Sequence, residues 1–132
     1  MARFRKSLRI DVRKVDDERK QLFGIASLVT KFGEPVVDRQ GDRIAPEELE
    51  KAVYEYVLSS RDASDSHQRM GAGRLIESCV FTKAKQQSLG IDLQQEFWWI
   101  GIQCDDAVWA RLKKSSRPLA FSIGGTAIRR EV

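Results

Sequence analysis

The stretch "LFGIASLV", residues 22–29, is apolar apart from Gly24 and Ser27. A strand covered on one face alternates apolar and polar residues, whereas a near-continuous apolar run is typical of a strand covered on both faces. We therefore expect residues 22–29 to form a central strand of a sheet. Gly24 favours a β-bulge or the close approach of a neighbouring strand.

The residues before this stretch predict its partner strand. Leu8, Ile10 and Val12 alternate with charged residues, which is the period of a half-buried strand. The polar segment "DDERK", residues 16–20, predicts a turn. Two strands joined by a short polar turn favour antiparallel pairing.

Residues 36–60 change to a helical period. Pro46 suits the first turn of a helix, and Glu47 and Glu48 are favourable near its positive N-terminus. The apolar residues that follow fall on one face of a helix; they are Leu49, Ala52, Val53, Tyr56 and Val57. This segment predicts one long helix.

The second half of the chain predicts further strands and one short helix. We expect, in order, a strand at 73–81, a surface loop at 83–96, a strand at 97–104, a helix capped by Asp105 that runs to about Lys114, and a strand at 119–123. Aromatic residues in the strands favour a closed or strongly curved sheet. The predicted fold is α+β: a mostly antiparallel β-barrel, closed or strongly curved, with one long and one short flanking helix.

Composition bounds the size and class of the protein. The chain has 132 residues, 42% of them hydrophobic and 32% charged, which predicts one folded domain over residues 1–132 with a core at about 8–130. A longer parent chain stays open as an alternative. The net charge is +4, but the charges beyond the basic N-terminus are interleaved in sign. We therefore expect a solvated surface rather than a nucleic-acid partner.

Other classes are excluded by what the sequence lacks. No segment reaches the roughly 18 apolar residues of a membrane span, and the first residues lack the apolar region of a signal peptide. We expect a cytoplasmic protein without a membrane partner. Cys79 and Cys104 have no CxxC spacing and the chain has one histidine, so we expect no metal, cofactor or disulfide. Each cysteine lies in an apolar run, which is typical of a buried, inert thiol rather than a nucleophile.

The segment "PLAFSIGG", residues 118–125, places a serine before two glycines. Such a serine is common in turns. It is also what a nucleophile needs, because glycines allow a backbone turn that points the peptide N–H groups at an oxyanion. Both interpretations of Ser122 are open, and the second requires N–H donors from Ile123, Gly124 and Gly125.

A serine nucleophile also needs a base and a group that orients the base. His67, the single histidine, stands in a polar loop with glycines, where a general base is accessible. Three acidic residues are candidates for the third member: Asp65, Glu77 and Glu131. Glu77 interrupts the apolar run "LIESCVF" and is favoured, although alternation along a strand equally predicts that it points to solvent.

Three motif regions resemble one protein family. The loop from Asp38 to Asp42, the histidine of "SHQ" (His67) and the serine of "FSIGG" (Ser122) occur in the same order in the XkdF-type serine protease domain of tailed phages. The resemblance covers about residues 22–130. This domain is related to phage prohead proteases, which in turn resemble the herpesvirus assemblins.

The resemblance implies a function and partners. It implies a β-barrel ringed by helices, Ser122 as nucleophile, His67 as general base and frequent dimerisation. The expected function is a capsid-maturation endopeptidase that cleaves scaffold and capsid proteins inside the assembling prohead, in the cytoplasm of the bacterial host. The alternative is an inactive module that keeps the protease fold and acts in capsid or scaffold assembly.

Overall fold

The computed structural model describes residues 3–37, 42–60, 62–64, 73–114, 120–126 and 130–131. Its strands are β1 (Arg3–Arg9), β2 (Asp11–Asp16), β3 (Gln21–Lys31), β4 (Glu34–Pro35), β5 (Asp42–Arg43), β6 (Asp62–Ser64), β7 (Gly73–Phe81), β8 (Gln95–Cys104), β9 (Ala120–Thr126) and β10 (Arg130–Glu131). Its helices are α1 (Pro46–Ser59), α2 (Lys83–Leu89) and α3 (Asp106–Lys114).

Eight of these strands form one antiparallel sheet. Its order is β1-β9-β6-β7-β8-β3-β2, with β4 added to the end of β3, while β5 and β10 pair separately. The prediction that residues 22–29 form an inner strand is confirmed, because β3 pairs with β2 on one side and β8 on the other. Residues 22–26 are all buried, which is why this stretch carries no polar alternation.

The predicted closed or strongly curved barrel is wrong. Within the described residues the order of hydrogen-bonded strands is open, with β1 and β2 as its two ends and no ladder between them. The apolar patterns identified the longer strands but not β4, β5, β6 and β10, and they carry no information about whether the first and last strands pair with each other. Only Ile10 separates β1 from β2 in the chain, yet these two consecutive strands stand at opposite ends of the strand order of the sheet.

Gly24 allows β2 to approach β3 closely. A Cβ atom at this position would lie 2.1 Å from the carbonyl oxygen of Asp11, on the paired strand. The register between the two strands shifts between Val12 and Lys14, next to Gly24. The predicted bulge or close approach is therefore confirmed.

Helix α1 covers the core face of the sheet, as the apolar spacing predicts. Leu49, Val53 and Tyr56 are buried, and the Tyr56 ring packs edge-on against the indole of Trp98 with centroids 6.1 Å apart. Pro46 occupies the first helical turn, where its missing N–H costs no hydrogen bond.

Helix α2 replaces the first half of the surface loop that we predicted at 83–96. Thr82 accepts a hydrogen bond from the Lys85 N–H as N-cap, and Gly90 ends the helix with a left-handed backbone. The side chain of Gln86 is buried, where it donates to the carbonyls of Phe81 and Gln95 and accepts from the Leu93 N–H. Both the NH₂ group and the oxygen of the buried Gln86 amide are hydrogen-bonded. Because a polar residue occupies the buried position, the helix lacks an apolar stripe, and the hydrophobic period of the sequence did not predict it.

The count of helices is therefore three among the described residues rather than the predicted two. The predicted cap of the last one is confirmed, because the Asp105 carboxylate accepts from the Val108 N–H at 2.8 Å. Val108 and Trp109 are the buried residues of this helix, α3.

Candidate active site

Ser122 lies in the middle of strand β9 and shares a row with two other serines. Its register partner on β1 is Ser7, and its register partner on β6 is Ser64. Opposite residues of antiparallel strands have Cα atoms about 4.5–5.5 Å apart and share one face of the sheet. We call these three positions the serine row.

The serine row lies on the face of the sheet that is exposed at Arg74 of the neighbouring strand β7. Ile123 is in register with Ala63, which is in register with the buried Gly73, so these positions share the core face. The next residue of β7, Arg74, is exposed and is in register with Asp62, two residues before Ser64. Since alternate residues of a strand share a face, position 122 is on the same face as Arg74.

Of the two interpretations left open for Ser122, the one that places it in a turn is wrong, because β9 continues through both glycines to Thr126. On its β6 side, however, the ladder ends at Ile123 within the described residues, whereas β1 pairs with all of 120–126. Backbone N–H groups of a strand alternate between its two sides. Part of the N–H groups of 124–126 therefore point away from β1, toward the side on which no ladder is present past Ile123 within the described residues, and the role of residues 123–125 as oxyanion donors stays a prediction.

His67 and Asp65 lie outside the described residues. The described part of this segment ends at Ser64, the residue that is in register with Ser122. His67 follows it by three positions along the chain.

Glu77 has a different partner, and the structure does not bring it to the serine row. Its carboxylate accepts a hydrogen bond from the indole N–H of Trp99 at 2.9 Å on the exposed face. Glu77 lies four residues beyond Gly73 on β7, in the direction away from Ser122, which is roughly 13 Å at 3.3 Å per residue. Its role as third catalytic member stays a prediction.

Glu131 lies in the small second sheet. It is in register with Asp42, the last residue of the loop that carries the first motif region. The pairing brings the C-terminal segment and that loop together, and no ladder connects this pair to β9 within the described residues.

Comparison with known proteins identifies the family. Residues 9–131 match the family described as "Putative phage serine protease XkdF". The chain belongs to the XkdF family. It is 29% identical over 125 residues to the uncharacterized protein YqbD of Bacillus subtilis, and 27% identical over 130 residues to the phage-like element PBSX protein XkdF of the same organism. The resemblance inferred from the three motif regions is thereby confirmed.

The chain spans less than half the length of these relatives. The alignments cover 94% of this chain but 36% of YqbD and 43% of the PBSX protein. No solved structure gives a significant match.

Cys79 and Cys104 are the alternatives to Ser122 as a nucleophile in this chain, and burial disfavours Cys104. Cys104 is buried at the end of β8, and burial, with a smaller effect of the neighbouring Asp105 carboxylate, raises the pKa of its thiol to about 12. The thiolate is the reactive form, so Cys104 is a poor nucleophile near neutral pH. Cys79 is half-buried on β7.

We expect Cys104 of the folded protein to resist alkylation by iodoacetamide at pH 8. With the pKa raised to about 12, its thiolate fraction is about a thousandfold lower than that of a thiol with a pKa near 9. Mass spectrometry of the labelled protein measures this, and urea-unfolded protein is the control in which both cysteines react. Equal reaction rates of Cys104 in folded and unfolded protein would contradict the assignment.

One further cavity lies far from the serine row. It has a volume of about 370 Å³, and it contains none of the predicted site residues; its lining includes Thr30, Phe32, Lys83, Gln86 and Glu96. It lies at the Gln95 end of β8, whereas the Cys104 end of that strand pairs with Gly73.

Among the residues that the structure describes, no group of three or more His, Cys, Asp and Glu side chains is arranged to hold a metal ion. No helix in the described part of the chain has the length and apolar character needed to cross a membrane.

Proposed function

We propose that this chain is the serine endopeptidase domain of a phage capsid-maturation protease, with Ser122 as nucleophile and His67 as general base. The observation that carries the proposal is the register of Ser122 with Ser64, because the chain reaches His67 three residues after Ser64. Three residues of chain span at most about 11 Å. This short connection limits the distance between His67 and Ser122, which are far apart in the sequence.

The chemistry follows from these residue types. The Ser122 hydroxyl attacks the peptide carbonyl while His67 takes its proton, and His67 then gives that proton to the leaving amine. Water hydrolyses the resulting acyl-enzyme by the same route in reverse. N–H groups of residues 123–125 that are free of β6 would stabilise the oxyanion.

The acid that orients His67 would be Asp65, Glu77 or Glu131. The contact of Glu77 with Trp99 and its distance along β7 favour Asp65, which follows Ser64 directly in the chain. A carboxylate in this place fixes the tautomer and orientation of the imidazole.

We propose scaffold and capsid polypeptides as substrates, processed within the assembling prohead in the host cytoplasm by a homo-oligomer. Membership of a phage serine protease family supports this assignment. No cofactor takes part in this mechanism.

A fluorophosphonate probe tests the proposal. We expect the folded protein to be labelled at Ser122, because only a serine activated by a base reacts with such a probe. Tandem mass spectrometry identifies the labelled residue. Heat-denatured protein is the negative control, and the exposed Ser88 of α2 is an internal control for nonspecific reaction.

Two outcomes would overturn the assignment. Labelling at Ser7 or Ser64 would place the nucleophile at another position of the serine row. Absence of labelling in folded protein would favour the inactive assembly module instead.

A further inference from the structure

The cavity of about 370 Å³ at the Gln95 end of β8 lies apart from the proposed active site. We call it the end cavity. Its walls come from the end of β3, from the first turn of α2 and from the loop that leads into β8. Pockets that hold small ligands have volumes of about 300–1,000 Å³, so the end cavity is large enough to take a side chain or a small molecule.

Phe32 lines the end cavity in a conformation that disfavours phenylalanine. It is the first residue of the two-residue loop between the paired Lys31 and Glu34, and its φ of +52° is left-handed. Glycine or asparagine is favoured at such a position, and a bulky residue there is an outlier. The side chain is also 70% exposed, so burial does not explain it. An aromatic ring held in this way indicates a contact surface for a ligand.

The carboxylate of Glu96 is a half-buried acceptor in the same cavity. Its Oε2 accepts a hydrogen bond from the Lys83 N–H at 2.8 Å, and its Oε1 accepts from the Thr30 hydroxyl at 3.2 Å. A carboxylate offers about four lone-pair sites, so these two donors leave it able to accept from a ligand as well.

Asp92 adds a second carboxylate to the lining. Its Oδ1 accepts from the Gln94 N–H at 2.8 Å. Among the described residues of the lining, the two carboxylates of Asp92 and Glu96 and the one ammonium of Lys83 give a net charge of −1, whereas the whole chain carries +4. Lys83 is exposed, so water can solvate its ammonium group. The carboxylates therefore favour a ligand that is positively charged and donates hydrogen bonds.

The Phe32 ring narrows the class of cation. The ammonium of Lys31 lies 5.9 Å from the centre of this ring, so the ring already attracts one cation. A guanidinium group is planar and stacks on aromatic faces, and its N–H donors form a fork that matches a carboxylate. A ring beside carboxylates is therefore better suited to a guanidinium than to an ammonium group.

We propose that the end cavity binds the side chain of an arginine residue in a polypeptide partner, with the guanidinium against the Phe32 ring and hydrogen-bonded to the Glu96 and Asp92 carboxylates. A polypeptide is favoured over free arginine because Ile91 and Leu93, the chain neighbours of Asp92, are exposed apolar residues that the segment around the arginine could contact. The inference is independent of the proposed function of Ser122, because the cavity lies at the other end of β8.

An NMR titration of the ¹⁵N-labelled chain tests the proposal. The probe is N-acetyl-arginine methylamide, which is an arginine residue as it stands in a polypeptide. We expect saturable shifts of the backbone amide signals of residues 30–33 and 92–96. The citrulline analogue has the same shape without the charge, and it should bind about tenfold more weakly, since hydrogen bonds to charged groups are the stronger ones. The lysine analogue should also bind more weakly than the arginine probe.

Three substitutions assign the contacts. Asp92→Asn and Glu96→Gln should each weaken binding of the arginine probe about fivefold, and Phe32→Leu about threefold, because it removes the ring but keeps an apolar side chain. Glu34→Gln is the matched control, since it removes a carboxylate from the same hairpin but outside the lining, and it should keep the full affinity. Amide signals remote from the cavity verify that each variant is folded.

Three results would overturn the proposal. The first is equal affinity for the arginine and citrulline probes, or shifts that lie outside the end cavity. The second is unchanged affinity in both Asp92→Asn and Phe32→Leu, whose exposed positions make loss of the fold an unsuitable explanation. The third concerns the source of the guanidinium: tighter binding of free L-arginine than of the capped probe would overturn the assignment to a polypeptide.

Discussion

Replacing Ser122 by alanine should lower peptide cleavage by a factor of about 10⁴ or more, because removal of the nucleophile leaves only binding and oxyanion stabilisation. The fold should persist, since alanine fits any strand position that serine occupies. Steady-state cleavage of a fluorogenic peptide library measures the rate, and thermal unfolding of the same samples verifies the fold.

The serine row supplies stringent controls for this substitution. Ser7→Ala and Ser64→Ala remove the same hydroxyl from the adjacent strands at the same level of the sheet. We expect both to keep most of the activity. The effects of substituting residues that act as one catalytic unit do not add. The double variant His67→Ala with Ser122→Ala should therefore lose no more activity than Ser122→Ala alone. Retained cleavage in folded Ser122→Ala protein would refute the mechanism.

Replacing Gly24 by alanine should destabilise the protein by about 3 kcal/mol or more, a larger effect than most substitutions produce. The added Cβ would lie 2.1 Å from the Asp11 carbonyl oxygen and 2.8 Å from its carbonyl carbon. These are main-chain atoms of the paired strand, so no side-chain rotation relieves the clash, and β2 has to separate from β3. Urea unfolding followed by circular dichroism measures the loss.

Gly33 provides the matched control for Gly24. Its backbone is left-handed, with φ at +81°, but a Cβ atom there would meet nothing within 4 Å. Gly33→Ala should therefore cost about 1 kcal/mol, from the left-handed backbone alone. If Gly24→Ala were no more destabilising than Gly33→Ala, the close approach of β2 to β3 would be wrong.

Elements with a regular pattern of buried apolar residues were predictable from the sequence. The apolar run at 22–29 and the helical period after Pro46 identified β3 and α1, because burial dictates residue type at each position. Helix α2 was missed because polar contacts of Gln86 and Lys85, not an apolar stripe, attach it to the protein. Its cap residues, Thr82 and Gly90, were the available signal.

The sequence predicts residues for the candidate site, and their catalytic roles stay a prediction. Ser122 and His67 were singled out from their residue types and setting, and family membership supports the class of chemistry. The serine row was not predictable, because it depends on the pairing of β9 with β1 and β6, which are remote in the sequence.

The position of β1 has a consequence for the order of assembly. Strand β9 is held along its whole length by the first strand of the chain, whereas β6 pairs with it at two residues. Pairings between chain segments so far apart form slowly, because the long intervening loop has to close first. A nascent chain therefore has no assembled serine row until β9, close to the end of the matched region, has been synthesised, so the proposed nucleophile would stay unpaired with β1 during most of translation.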